Sequence, residues 1–350
     1  MSNILDTLAK VDLCVHFDGA LSPELMAKLA ADRKLPLGGD VAGVQAHVLA
    51  HDLPSLQAAR LWVRELFTSA EDLVEAGTDL AIRLIDQAVV HAEIYIDPTA
   101  YAAAGLAPAE VLIAIDTGLE NALIDRDDLF LSWVFVVDLR RDLTAAAAQT
   151  LVETLVNAEL PHLGGVAVSG DSEKELPAAH LSMALETARK ADLGRVVAAG
   201  DRGGKERVAE ALKIGAQRLI GGTAALQDQA LILQLRAHRL PVTLMPTAQV
   251  VTGAARSMAQ HPLKKMKDAG IFTTIGTGWP TLLGTSLTAE FEALSKHHQW
   301  RLDDIRNATT RAVEAAFMGP ILRFQLARTI EIWRHRPFAG PAAKGDSWSL

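Results

Sequence analysis

The sequence predicts an α/β fold: a single (β/α)8 TIM-type barrel with extra helices after the first strand and at the C-terminus. Three observations lead there. Short aliphatic runs alternate with longer stretches of helical spacing along the 350 residues, an order that favours parallel strands joined by right-handed crossovers. Eight such runs fall within about 270 residues, which suits closure into a barrel. Hydrophobic residues make up 49%, charged residues 22% and aromatics 5%, enough for a large core and weighted towards helices packed on a sheet. An open doubly wound sheet is the main rival topology.

The strand candidates are 11–17, 92–96, 131–138, 165–168, 195–199, 218–220, 242–244 and 272–275. Helical spacing occupies 109–122, 145–155, 181–190, 205–214, 228–237 and 261–269 between them. The start is decorated. Ser22 and Pro23 read as N-cap and first residue of a helix reaching about Arg33. Two more helices, 53–67 and 70–89, precede the second strand and stand where a lid over a barrel mouth would lie. Helices at 287–296, 302–316 and 320–334 follow the last strand. Residues 1–336 read as one domain, and the Gly-, Pro- and Ala-rich segment 337–350 as a disordered tail.

Charge narrows the function. The formal net charge of -8 is spread along the chain, without the basic face of a nucleic-acid binder. One cysteine, Cys14, rules out an intrachain disulfide framework. No apolar run is long enough for a membrane span, and the first residues lack the layout of a secretory signal. The expectation is a cytoplasmic, soluble protein with neither nucleic acid nor membrane as partner. A nucleophile elbow, a P-loop and a dinucleotide fingerprint after a strand are all absent from the sequence. The turn Gly200-Asp201-Arg202-Gly203-Gly204 could cradle an anion, but such turns are common. His297 and His298 read as part of a solvated helix face.

Longer motifs carry more. Residues 10–21 read K-V-D-L-C-V-H-F-D-G-A-L, 165–171 read G-V-A-V-S-G-D, and 218–223 read R-L-I-G-G-T with L-Q-D at 226–228. Residues 245–254 read M-P-T-A-Q-V-V-T-G-A, His261-Pro262-Leu263 follows, and 276–280 read G-T-G-W-P. In order and spacing this series resembles the adenosine deaminase family, whose segments run K-x-E-L-H-x-H-L-D-G-S-L, G-x-D-L-A-G-D, R-I-G-H-G, C-P-T-S-N-x-x-T-G-A, H-P and N-T-D-D-P. The resemblance spans roughly residues 8 to 318 and implies the same barrel.

The resemblance also implies a zinc site, and here the residues depart from it. The family holds zinc through H-x-H on the first strand, a His on the fifth and an Asp on the eighth. A Glu past the fifth strand and a His after the sixth move protons. At those positions stand Cys14 and His16, Ala198, Gly278, Asp201 and Gly221 in turn. A catalytic zinc keeps about three protein ligands, so the expectation is no metal and no catalytic residue, with Asp201 a weak candidate one methylene shorter than the family's Glu. Cys14 and His16 share one strand face and can simply fill space there. Asp18 and Gly170 survive where the family contacts ribose and purine; both also suit ordinary turns. Trp279 would occupy the volume in which metal and base should meet.

The expected function is accordingly a deaminase-like pseudoenzyme that binds a ligand, such as a purine nucleoside, or a protein partner in a homo- or hetero-oligomer. Asp18, Gly170, Asp201 and Trp279 are its candidate binding residues. The alternative is an active hydrolase with repurposed acid–base chemistry, using polar groups near the strand ends such as Asp97, Asp138, Arg140 and Asp171. A third reading rebuilds a distorted zinc site from Cys14, His16 and Asp201 with His47, His51 or His91.

Overall fold

The computed structural model describes residues 2–126, 129–170 and 176–335; the predicted tail and Asp171 lie outside them. Eight strands among the described residues pair in parallel in chain order: β1 (Lys10–His16), β2 (Val89–Ile96), β3 (Ser132–Arg140), β4 (Leu163–Ser169), β5 (Gly194–Ala199), β6 (Arg218–Gly221), β7 (Val242–Leu244) and β8 (Thr273–Ile275). The two ends of the sheet meet. Val15 bridges Gly278, the His16 N–H donates to the Gly278 carbonyl at 2.7 Å, and the Gly278 N–H donates to the Cys14 carbonyl at 2.7 Å. That contact closes the barrel and excludes the open sheet. Crossover helices such as Pro108–Asn121, Ala145–Asn157 and Gly204–Lys213 bury one face each, as their 3.6-residue periodicity requires. Among the described residues, no helix is long and apolar enough to cross a membrane.

The structure shifts one boundary noticeably. The second inserted helix ends at Asp86 and β2 begins at Val89, three residues before the predicted strand. Ala88 takes a left-handed conformation (φ 54°), and its carbonyl accepts the Lys10 N–H at 2.9 Å. Tertiary pairing with β1 thus recruits residues whose local pattern continued the helix. Ser22 caps its helix as expected, accepting the Leu25 N–H, with Pro23 in the first turn. The helix Leu53–Glu65 carries a full capping box from Asp52 and Ser55.

The lower barrel holds a buried ion pair. Glu93 of β2 and Arg218 of β6 are both fully buried and join through two contacts of 2.5 and 2.8 Å. Further bonds support the pair: Arg218 donates to the Leu13 and Ala315 carbonyls, and Glu93 accepts the Phe317 N–H at 2.7 Å, while Arg218 Nε has no partner among the described residues. The Arg218 guanidinium also lies 4.1 Å from the Phe317 ring centroid. The pair therefore fastens the segment after the C-terminal helix Leu302–Ala315 to the barrel floor. Replacing one partner leaves an uncompensated charge in a dry site, which costs about 3–5 kcal/mol. Glu93→Leu is expected to lower stability by that amount in chemical denaturation, and adding Arg218→Met should restore part of it. A double variant no more stable than the single one would contradict this account.

Candidate functional site at the barrel mouth

The C-terminal strand ends carry the polar groups in which ligand sites of such barrels are built. A single turn, Phe17–Gly19, follows β1 and sets Asp18 into the mouth. Its carboxylate is almost fully buried, and Oδ2 accepts from Arg60 Nε at 3.0 Å and Arg64 Nε at 2.8 Å. Both arginines project from the inserted helix Leu53–Glu65, which thereby closes over this side as a lid would. Burial alone would raise the Asp18 carboxyl, but the charges of Arg60 and Arg64, with His16, hold it below the usual carboxylate range.

Beside it stands a cluster built on stacked rings. The His16 ring lies parallel to the Trp279 indole, centroids 4.1 Å apart and planes 11° off. The Arg60 guanidinium lies over the same indole, 5.0 Å from its ring centroid. Trp279 can enter this space because residue 19 is glycine: a Cβ there would lie 2.5 Å from the Trp279 Cβ. His16 Nδ1 faces Asp138 Oδ2 of β3 at 3.3 Å, and its ring tilts against Tyr95 of β2 at 5.3 Å. Around this stack, Asp18 Oδ1, Asp138 Oδ1, Tyr95 Oη and Trp279 Nε1 are buried with no hydrogen-bond partner among the described residues. Buried polar atoms are satisfied in most folded proteins, so a concentration of unsatisfied ones sets the mouth apart from the rest of the barrel.

Asp201 enters from the other side, just past β5. It is half-buried, and its oxygens meet Gln249 Nε2 at 2.7 Å and Thr223 Oγ1 at 3.0 Å. Burial raises its carboxyl to about 6, although these hydrogen bonds work in the opposite direction. The carboxylate has moved into a neighbour's space. A Cβ on Gly221 would lie 2.4 Å from Asp201 Cγ, so the group fills the volume that a side chain at residue 221 would need.

The remaining candidates are placed as follows. Gly170 is exposed immediately after β4. Asp97 and Arg140 pair with each other at 2.9 Å while Asp97 also binds Thr99, a structural arrangement. His47 packs edge-on against Trp62, His51 is exposed, and His91 is buried at the start of β2 on Ser132. Those three histidines do not reach the mouth, so the rebuilt site of Cys14, His16 and Asp201 with one of them is not assembled. His298 is not simply solvated, since its Nε2 contacts the Met258 carbonyl at 2.7 Å. Sequence reasoning missed Tyr95, Arg60 and Arg64. The two arginines stand four apart on one helix face, a signal shared by countless exposed helices.

A mouth-bound zinc does not fit these residues. Cys14 is fully buried, and burial pushes its thiol well above its ordinary range, against the thiolate that a metal needs. Ala198 and Gly278 carry no donor, and the Trp279 indole covers His16. Asp116, Glu120 and His162 form a group that could hold an ion, their ligand atoms within 4.8 Å of one another. It lies at the opposite end of the barrel, by the starts of β3 and β4, where Asp116 Oδ1 already meets Trp133 Nε1 at 2.6 Å and His162 Nδ1 at 2.7 Å.

The tight fit at residue 221 has a measurable consequence. Gly221 has φ +90°, so a side chain there adds backbone strain to the clash. Gly221→Ala is expected to cost about 1–3 kcal/mol in thermal or chemical denaturation, and Gly221→Ala with Asp201→Gly distinctly less than the sum of its parts. Simple additivity of the two would show that the residues do not share this volume.

Comparison with known proteins supports the same frame. The family model described as adenosine deaminase matches residues 9–332. An adenine deaminase of Cupriavidus taiwanensis is 30% identical over 95% of this chain and 94% of its own length. The adenine deaminase of Arthrobacter aurescens superposes with a TM-score of 0.84 at 22% identity, covering 93% of this chain and 99% of the other. An amidohydrolase of Burkholderia ambifaria, solved with bound zinc, superposes with a TM-score of 0.84 at 19% identity, covering 95% and 93%. Two expectations are corrected. The reading as a non-catalytic binding protein is overturned by relatives of this identity and coverage that carry the name of an enzyme, and the alternative of an active hydrolase is the better supported. The expectation of no metal cofactor is overturned by the family, by the zinc of that neighbour and by the Asp116, Glu120 and His162 group. Matched along nearly its whole length, the chain belongs to the adenosine deaminase family.

Proposed function

We propose that this protein is a hydrolytic deaminase of an aminopurine, as free base or nucleoside, working in the cytoplasm with Asp201 as its acid–base group. The observation that carries the reading is the Asp201 carboxyl itself: held at the mouth by Gln249 and Thr223 and titrating near 6, it populates both protonation states close to neutrality, as a proton-transfer group must. The names of the relatives at about 30% identity supply the substrate class.

The reaction needs a shuttle of this kind. Water adds to the ring carbon bearing the amine, forming a C–O bond, and the C–N bond then breaks to release ammonia. One hydrogen of the water ends on the ring nitrogen and the other on the ammonia. The Asp201 carboxylate accepts a proton from the incoming water, and the resulting acid delivers it to the ring nitrogen or the departing amine. Asp18, Gly170 and Trp279 are the proposed binding groups, joined by Tyr95 and Asp138. The unsatisfied atoms at the mouth include two donors, Tyr95 Oη and Trp279 Nε1, two carboxylate acceptors and His16 Nδ1, and the edge of an aminopurine presents both complementary kinds.

The test is ammonia release from adenine, adenosine and guanine, measured on the protein as purified and again after incubation with zinc. Turnover of at least one is expected, rising with pH through about 6 as the carboxylate forms. Asp201→Asn should lower it by about 10²–10⁴-fold. Absence of release from every aminopurine under both conditions would end the proposal.

A further inference from the structure

The Asp201 carboxylate is the visible end of a buried chain of hydrogen bonds that the proposed chemistry does not by itself require. Gln249 is 2% exposed and His261 3% exposed. The Met245 backbone N–H donates to Gln249 Oε1 at 3.1 Å; a backbone amide can only donate, so this bond settles which end of the side-chain amide is oxygen. The other end, Nε2, must then donate to Asp201 Oδ2 at 2.7 Å. His261 completes the logic. The Leu263 N–H donates to its Nδ1 at 3.1 Å, which leaves the proton of the neutral ring on Nε2, 2.9 Å from Gln249 Oε1. Burial and the neighbouring His298 depress this imidazole to about 4, so it stays neutral through the working range. Every hydrogen in the run from Leu263 to Asp201 has one direction only.

Resting on the reading of Asp201 as the acid–base group, we propose that Gln249, fixed by His261, is the positioning residue of this site. Its amide claims Oδ2 as a permanent acceptor and leaves Oδ1 as the atom that takes up and delivers the proton. On the Oδ1 side stands Thr223, whose Oγ1 is 3.2 Å from the Gly200 carbonyl. Oδ1 accepts that hydroxyl at 3.0 Å while the carboxyl is ionised; once protonated it donates to the same oxygen, whose hydrogen then turns to the Gly200 carbonyl. The nearest charged side chain in sequence, Arg202, reaches away to the Thr252 carbonyl at 3.2 Å. The groups facing the carboxylate are thus Gln249 from the helix Pro246–Val251 and Thr223 from the turn after β6, both neutral. An amide held from behind fixes the angle of the carboxylate without adding a charge that would lock it in one protonation state.

The experiment is a carboxyl titration by carbon NMR on the full chain labelled at aspartate Cγ, the Asp201 signal being the one lost in Asp201→Asn. In the unaltered protein it should titrate near pH 6. Gln249→Leu removes a hydrogen bond to the charged form, and the midpoint should rise by about one pH unit. His261→Phe, which does not touch Asp201, should raise it by less, through a loosened amide, and this variant carries the test alone if Gln249→Leu does not fold. In ammonia-release assays the acid limb should move up by the same amount, with kcat falling about tenfold and KM little changed. An Asp201 midpoint unchanged in the folded Gln249→Leu variant, or in His261→Phe where only that variant folds, would overturn the proposal. Full turnover in Asp201→Asn would instead overturn the acid–base reading and leave the titration result standing.

Discussion

The short backbone bridge between β1 and β8 is the constraint on which the site depends. Two hydrogen bonds of 2.7 Å tie Gly278 to Cys14 and His16, and they do more than close a cylinder. They bring the residue after Gly278, an indole, against the imidazole that ends β1. All eight strand ends then face one mouth, so Asp18, Asp138, Asp201 and Gln249, scattered over more than two hundred positions of sequence, come to share it. Without closure the first and last strands would sit at opposite edges of a sheet, and the cluster of His16, Trp279 and Arg60 would not exist.

Around that frame the mouth is packed by exchanges of volume. Asp201 occupies space released by Gly221, and Trp279 leans on the bare backbone of Gly19. Close-packed interiors tolerate such changes only when they are made together. The site therefore differs from a barrel mouth that has merely lost residues at random. Its large new side chain has a matching glycine, its shortened acid has a fixed partner, and the one buried imidazole behind it is held neutral. These features agree with the enzymatic names of the relatives better than with an empty scaffold.

Polar accounting separates the two ends of the molecule. At the floor, Glu93 and Arg218 bond one another and backbone groups of the C-terminal segment, leaving Arg218 Nε as the one unpartnered atom of the pair among the described residues, the pattern of a structural pair. At the mouth, Asp18, Asp138, Tyr95 and Trp279 each keep a buried atom unsatisfied.

The barrel was legible in the residues themselves, because strand and helix periodicities are local and eight alternations admit few topologies. Ala198, Gly221 and Gly278 could be read as departures from the family motifs, but the expectation of no metal drawn from them did not hold. Sequence alone also singled out Asp18, Asp201 and Trp279. What it could not supply was the use made of the vacated space. The amide of Gln249 behind Asp201 and the arginines of Leu53–Glu65 on Asp18 join residues more than forty positions apart, and the hydroxyl of Tyr95 is left without a partner among the described residues. Pairings at that distance are set by how closed elements pack, and periodicity carries no record of them; only the tertiary structure decided that the half-buried Asp201 carboxyl is held between Gln249 and Thr223 at the mouth.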